Sequence, residues 1–205
     1  MLKLTLYNIQ RKLMVARTEK GQLGRFVLML VSALLLPSVA TADALGGIEW
    51  LVDKRFDVPE ITVEEAQAIL SDDAGNWLVV DVREPEEYAV SHLPGAIRIS
   101  LDTDRETFTQ QFGGALAGKH VLFYCSVGQR SSKLAARLQD AVRDAGGADI
   151  ANLRGGIFRW HGEHGTLVNA EGSVDRIHPY NAVWGRLMPR ENPPDPTIEN
   201  LEDTQ

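Results

Sequence analysis

Apolar runs and amphipathic stretches alternate along most of this chain. Trp77–Val82 (WLVVDV) is a nearly continuous apolar run with β-branched residues, the pattern of a strand buried on both faces in a parallel sheet. Val121–Tyr124 is a second such run, Ala96–Ser100 (AIRIS) alternates like a strand, and Asp149–Leu153 and Pro59–Ile61 read as short strands. Between them the period changes to that of a helix. Thr62 followed by Glu65 is a capping box, and Val63, Ala66, Ile69 and Leu70 then mark one face. Pro85 opens a short helix through Tyr88, Asp104–Phe112 reads as another, and Gly113-Gly114 ends it. Arg130–Arg143 carries its core face on Leu134, Ala135, Leu138, Ala141 and Val142. A last helix follows Arg154-Gly155-Gly156 and runs to about Gly165. This alternation predicts an α/β fold with a parallel sheet and right-handed crossovers.

The flanks differ. Asp43–Val58 is a lead-in, with Ile48, Leu51, Val52 and Phe56 at near-helical spacing. From Glu171 the texture changes, and Asn192–Pro196 with the acidic end has the composition of a disordered tail. His178–Gly185 holds two aromatics in a Pro/Gly context and is expected to pack as a strap over the domain.

Candidate chemistry centres on Cys125, the single cysteine of the 205 residues. It ends the Val121–Tyr124 run and is followed by a short loop, Ser126–Gln129, and a helix from Arg130. Backbone N–H groups at a helix start stabilise a thiolate and hold anionic groups. A buried free cysteine is often only a small hydrophobe. Here the Ser, Gly, Gln and Arg neighbours are loop and surface residues, and Gly128 permits a tight backbone. Three histidines, His161, His164 and His178, form no metal-ligand pattern, so neither a metal nor a cofactor is expected.

Charge adds two exclusions. The net charge of −7 argues against a nucleic-acid partner. The first 42 residues stand apart, with six basic residues against one acidic. Their 11-residue apolar run, Phe26–Leu36, is too short for an ordinary membrane span. Ala40-Thr41-Ala42 follows, and the whole describes a secretory signal peptide over residues 1–42, cleaved after Ala42. The long basic lead leaves an uncleaved N-terminal anchor as the alternative. Cleavage would leave 15 basic and 27 acidic residues, a net charge of −12, in an exported, periplasmic protein with no stable membrane span. One cysteine cannot close an internal disulfide, so in that compartment it is reactive or pairs between chains.

Four segments in order make the chain resemble the rhodanese family of sulfurtransferases over roughly residues 60–168. They are Asp81-Val82-Arg83-Glu84 with Glu87-Tyr88, the turn Ser91–Ala96, the loop Tyr124–Ser131, and Asn152–Gly156 with Trp160. The one departure is Ser91 where the family usually has Gly. The resemblance implies a three-layer domain, residues 59–169, with a central, mainly parallel sheet flanked by helices. Residues 43–58 are then a lead-in and 170–205 a C-terminal extension. It also implies that Cys125 takes a sulfane sulfur from a small donor such as thiosulfate, holds it as a persulfide, and passes it to a thiol, to cyanide or to a protein acceptor. Ser126, Val127, Gly128, Gln129 and Arg130 would form the substrate cradle, with Arg130 either attracting the donor or fixing the loop by pairing with an acid. The family's sulfurtransferases have a six-residue loop, here Cys125–Arg130, whereas its phosphatase and arsenate reductase relatives have seven. Asp81 with Arg83, His92, Gly155, Gly156, Trp160 and Trp184 are expected to serve structure rather than chemistry, the two tryptophans as core or strap residues. A carrier or binding module of the same fold is the alternative to an enzyme.

Overall fold

A computed structural model describes residues 44–188. The export pattern read over residues 1–42 and the tail beyond residue 188 lie outside the described residues. Helix α1 (Ala44–Arg55) leads to strand β1 (Glu60–Ile61) and helix α2 (Val63–Asp72). The Thr62 hydroxyl accepts the Glu65 amide, and the Glu65 carboxylate accepts the Thr62 amide at 2.8 Å, so two helix-start donors are satisfied by one pair of side chains. There follow β2 (Trp77–Asp81), α3 (Pro85–Val90), β3 (Ile97–Arg98), α4 (Arg105–Phe112), β4 (His120–Tyr124), α5 (Gln129–Asp144), β5 (Ile150–Leu153) and α6 (Gly156–Gly162). The chain then makes a hairpin, β6 (Leu167–Asn169) and β7 (Gly172–Val174), and ends its described part in α7 (Ala182–Gly185).

The five strands β1-β5-β4-β2-β3 form one sheet, and every pair in it is parallel. Alternation along β4 divides the core in two. Val121 and Phe123 pack with Phe108 of α4 and with Leu134 and Leu138 of α5. Leu122 and Tyr124 pack on the other face with Val63 of α2, Leu45 of α1, and Ile157 and Phe158 of α6. Residues that alternate along a strand point to opposite faces, so a run apolar at every position needs cover on both sides. The result is the three-layer α/β arrangement.

Three boundaries depart from the sequence reading. Only Ile97–Arg98 of the Ala96–Ser100 stretch is strand, because the Ala96 amide closes a turn on Leu93 O and Ser100 O closes another with the Thr103 amide. Helix α6 stops at Gly162, since the Gly165 amide folds back onto Trp160 O and a side chain at Gly165 would collide with the Trp160 indole. The β6–β7 hairpin straddles the expected boundary between residues 169 and 170, and a backbone bridge ties it to His92.

Asp81 and Arg83 lie at the end of β2 with both side chains fully buried. The Arg83 guanidinium donates to Asp81 Oδ2 at 2.7 Å and to Ser91 O at 2.6 Å, tying β2 to the turn after α3. Burial opposes the Arg83 charge, and Asp81 more than restores it. Asp81→Asn would leave that guanidinium without its bonded carboxylate. Urea unfolding is expected to show a loss of about 3–5 kcal/mol, against about 1 kcal/mol for Thr62→Ala at the exposed cap.

Candidate active site around Cys125

Cys125 follows the last residue of β4, a strand flanked on both sides by others in the sheet. Three residues later Gly128 is the N-cap of the 16-residue α5, in the left-handed region at φ +92°. A Cβ there would lie tight against Asn152 Nδ2 at 3.1 Å, in a backbone conformation that already favours glycine. The turn aims the Gly128 N–H back at Cys125 Sγ, 3.2 Å away. The sulfur therefore sits at the positive end of a long helix, where negative charge is stabilised.

The backbone of the loop is held from behind by α6. The Ile157 and Phe158 amides, free donors at a helix start, bond Cys125 O at 2.9 Å and Ser126 O at 3.1 Å. This packing is close: a Cβ on Gly156 would fall 2.3 Å from Cys125 O. Ser131 Oγ donates to Asn152 Oδ1 at 2.6 Å and lies 3.0 Å from Gly128 O, while Asn152 Nδ2 donates to Glu60 Oε1. Strand ends β1 and β5 are thereby joined to the first turn of α5. Gly155 and Gly156, both at positive φ, serve this backbone geometry.

The side chains of the loop are fixed from the front by Glu87 of α3. Arg130 donates to both Glu87 oxygens at 2.8 and 2.9 Å, and Ser126 Oγ donates to Glu87 Oε1 at 2.8 Å while accepting from Arg130 at 2.9 Å. The Glu84 amide completes the set on Glu87 Oε2. Burial pushes the Glu87 carboxyl up, but the hydrogen bonds and charge of Arg130 outweigh it, and the net shift is below the ordinary carboxylate range. Burial likewise opposes the Arg130 charge. Glu87 and the nearby Cys125 sulfur, through charge and hydrogen bonding, raise its pKa above the usual value. Of the two roles open to Arg130 from the sequence, this geometry is the loop-fixing one. Glu87 was legible as part of a helix and of one resembling segment but with no role, because a buried glutamate partnered across 43 residues has no local signal.

The strap completes the site. Tyr180 sits at φ +68° with its ring 4.6 Å from the Arg130 guanidinium carbon. Tyr180 and Trp184 line a pocket of about 140 Å³ together with Cys125, Ser126, Val127, Gln129 and Arg130. Trp184 lies in the strap and packs against the core as expected, and it is also a wall of the Cys125 pocket. Trp160 is buried in the core as expected, and His92 stacks on Tyr88 at the turn. Among the described residues no group of three or more His, Cys, Asp or Glu side chains converges as a metal site would require.

Known proteins are similar to this chain in sequence. The profile of the rhodanese-like domain matches residues 62–163. A tRNA uridine(34) hydroxylase of Oceanobacillus iheyensis is 38% identical over 42% of this chain and 26% of its own. A thiosulfate:glutathione sulfurtransferase of Saccharomyces cerevisiae is 27% identical over 46% of this chain and 74% of its own. Among solved structures, the BH2092 protein of Bacillus halodurans is 26% identical with a TM-score of 0.46, covering 56% of this chain and 80% of that one. The chain spans half or less of the length of the first curated relatives it matches.

The clamp has a pH signature. Because the Glu87 carboxyl is depressed in the folded chain, its contribution to stability is present above the ordinary carboxylate value near 4.5 and is lost as pH falls through the folded value. Glu87→Gln is expected to cost about 3 kcal/mol at neutral pH, since Arg130 loses its carboxylate. The difference from the unsubstituted protein should shrink as urea midpoints are taken to progressively lower pH below that value. A difference that stays constant would disprove the assignment.

Proposed function

We propose that this chain, which belongs to the rhodanese-like family through residues 62–163, is a sulfurtransferase that carries sulfane sulfur on Cys125. The observation that carries the reading is the environment of one atom. Cys125 Sγ takes the Gly128 amide at the head of α5 and lines a small pocket with the Ser126–Arg130 loop. The Cys125 thiolate attacks the outer sulfur of a donor such as thiosulfate. An S–S bond to Sγ forms, the bond to the sulfonate sulfur breaks, and sulfite leaves with its electron pair. A thiolate or cyanide then attacks the outer sulfur of the persulfide, and the displaced pair returns to Sγ. In both steps the charge at sulfur faces the Gly128 amide, already oriented at the head of α5 in a loop whose carbonyls α6 holds, so little reorganisation is needed.

Gly128, Ser126, Val127, Gln129 and Arg130 form the cradle in this reading, with Glu87 as a positioning residue that fixes Arg130 and Ser126. The Cys-x4-Arg spacing supports sulfur over a larger tetrahedral oxyanion. The basic, apolar and small-residue order of residues 1–42 supports export to the periplasm as part of the proposal. Among the described residues no helix is long and apolar enough to cross a membrane.

Intact-mass spectrometry before and after thiosulfate tests the reading. The expected result is a gain of one sulfur atom, removed by cyanide with release of thiocyanate and absent in Cys125→Ala. The same spectrum shows whether the exported chain starts at Asp43. Persulfide formed only from a thiol-bound persulfide, and not from thiosulfate, would favour the partner-specific carrier. Thiocyanate formation retained in Cys125→Ala would overturn the cysteine mechanism.

A further inference from the structure

A larger cavity adjoins the Cys125 pocket and is unused by the mechanism above. It has a volume of about 450 Å³, and Gln129 and Trp184 belong to the walls of both. Its far wall is α1 and the turn after it, with Ile48, Leu51 and Phe56 presenting apolar surface. Leu51 is 59% exposed and Trp50, beside it, 58%. Two bulky apolar side chains so exposed on one helix, at the rim of a cavity, form a patch that water covers poorly. The volume falls within the range of small-molecule sites, about 300–1,000 Å³.

Charge narrows the occupant. Lys54 and Arg55 line this cavity, and among the described residues no acidic side chain does, in a chain whose net charge is −7. Lys54 is paired with Asp53 at 3.1 Å, and the Arg55 guanidinium lies over the Phe56 ring with its carbon 5.7 Å from the centroid. With Lys54 offset by Asp53, an apolar trough that has the Arg55 cation at its edge and shares Gln129 and Trp184 with the Cys125 pocket suits a molecule with an apolar body, an anionic group and a sulfur terminus.

We infer that the sulfur acceptor is an amphiphilic anionic thiol whose apolar body lies between α1 and Trp184. This rests on the sulfurtransferase reading and adds the class of acceptor to it. The thiol, as thiolate, attacks the outer sulfur of the Cys125 persulfide. The new S–S bond joins the acceptor's sulfur to the transferred one, the bond to Sγ breaks, and its electron pair remains on Cys125 as thiolate. The acceptor leaves as its own persulfide, with no other oxidant or reductant required.

The test uses the full chain, thiosulfate as donor, and a homologous series of ω-mercaptoalkanoates from mercaptopropionate upwards, with cyanide as a second acceptor. The expected result is a kcat/KM that rises by about threefold per added methylene until the trough is filled. The mercaptoalkanol of equal length, lacking the carboxylate, should be several-fold poorer. Leu51→Ser, at an exposed position and checked for an unchanged Tm, should flatten the chain-length dependence. Turnover with cyanide but no dependence on thiol length would overturn the inference and leave the sulfurtransferase reading intact. Equal rates for mercaptoalkanols and mercaptoalkanoates would overturn the anionic assignment. Absence of transfer to cyanide and to every thiol would overturn the reading beneath it.

Discussion

Glu87 is the group on which the site depends. A carboxylate removed from water is tolerated only when its charge and lone pairs are met inside the protein. Here four donors meet it: two from Arg130, one from Ser126 and one from the Glu84 amide. Each fixes something. Glu84 fixes the start of α3, Ser126 fixes the loop directly after Cys125, and Arg130 fixes the first turn of α5. Arg130 then offers its other surface to Tyr180, so the strap is seated by the same pair. Removing the charge at Glu87 would loosen a helix, a loop and a lid-like wall together.

The opposite side of the loop is held by different physics. Carbonyls of Cys125 and Ser126 accept the first free amides of α6, and the approach is close enough that Gly156 can carry no side chain. Helix α1 reaches the same region through Glu49, which pairs with Arg159 at 2.8 Å and with Arg154 at 3.4 Å. The closing segment after β5 therefore links the lead-in helix to the loop. This places α1, which precedes the matched domain, beside Gln129 of the loop, while the strap that follows the domain borders Cys125.

How much of this was legible depends on whether the information is local. The sheet was, because the unbroken apolar runs at Trp77–Val82 and Val121–Tyr124 state burial on both faces. The place of Cys125 was, because an apolar run, a Gly-containing loop and a helical pattern in succession put it at a strand end facing a helix start. Glu87 was not, because its partners lie 39 and 43 residues away and its own surroundings read as an ordinary helix start. The β6–β7 hairpin was missed because its three-residue strands are too short to show alternation. The destination of Tyr180 and Trp184 was equally hidden. Their aromatic character announces packing, but only the course of the strap decides against what.

The Glu87–Arg130 pair also bears on what the pocket can attract. Within hydrogen-bonding distance the guanidinium's charge is offset by a carboxylate, so the nearest side chains present almost no net charge to an arriving donor. In a chain of net charge −7, the attraction a small anion feels within the loop must then come from oriented amides at the head of α5. Such dipoles act over about one helical turn and fade quickly beyond it. They stabilise charge already seated on the sulfur better than they draw charge from solution. Under the proposed reading, the loop is therefore built to hold the thiolate and persulfide more than to capture a doubly charged donor. Affinity for larger substrates has to come from surface outside the loop, which places it on the apolar walls that α1 and the strap supply.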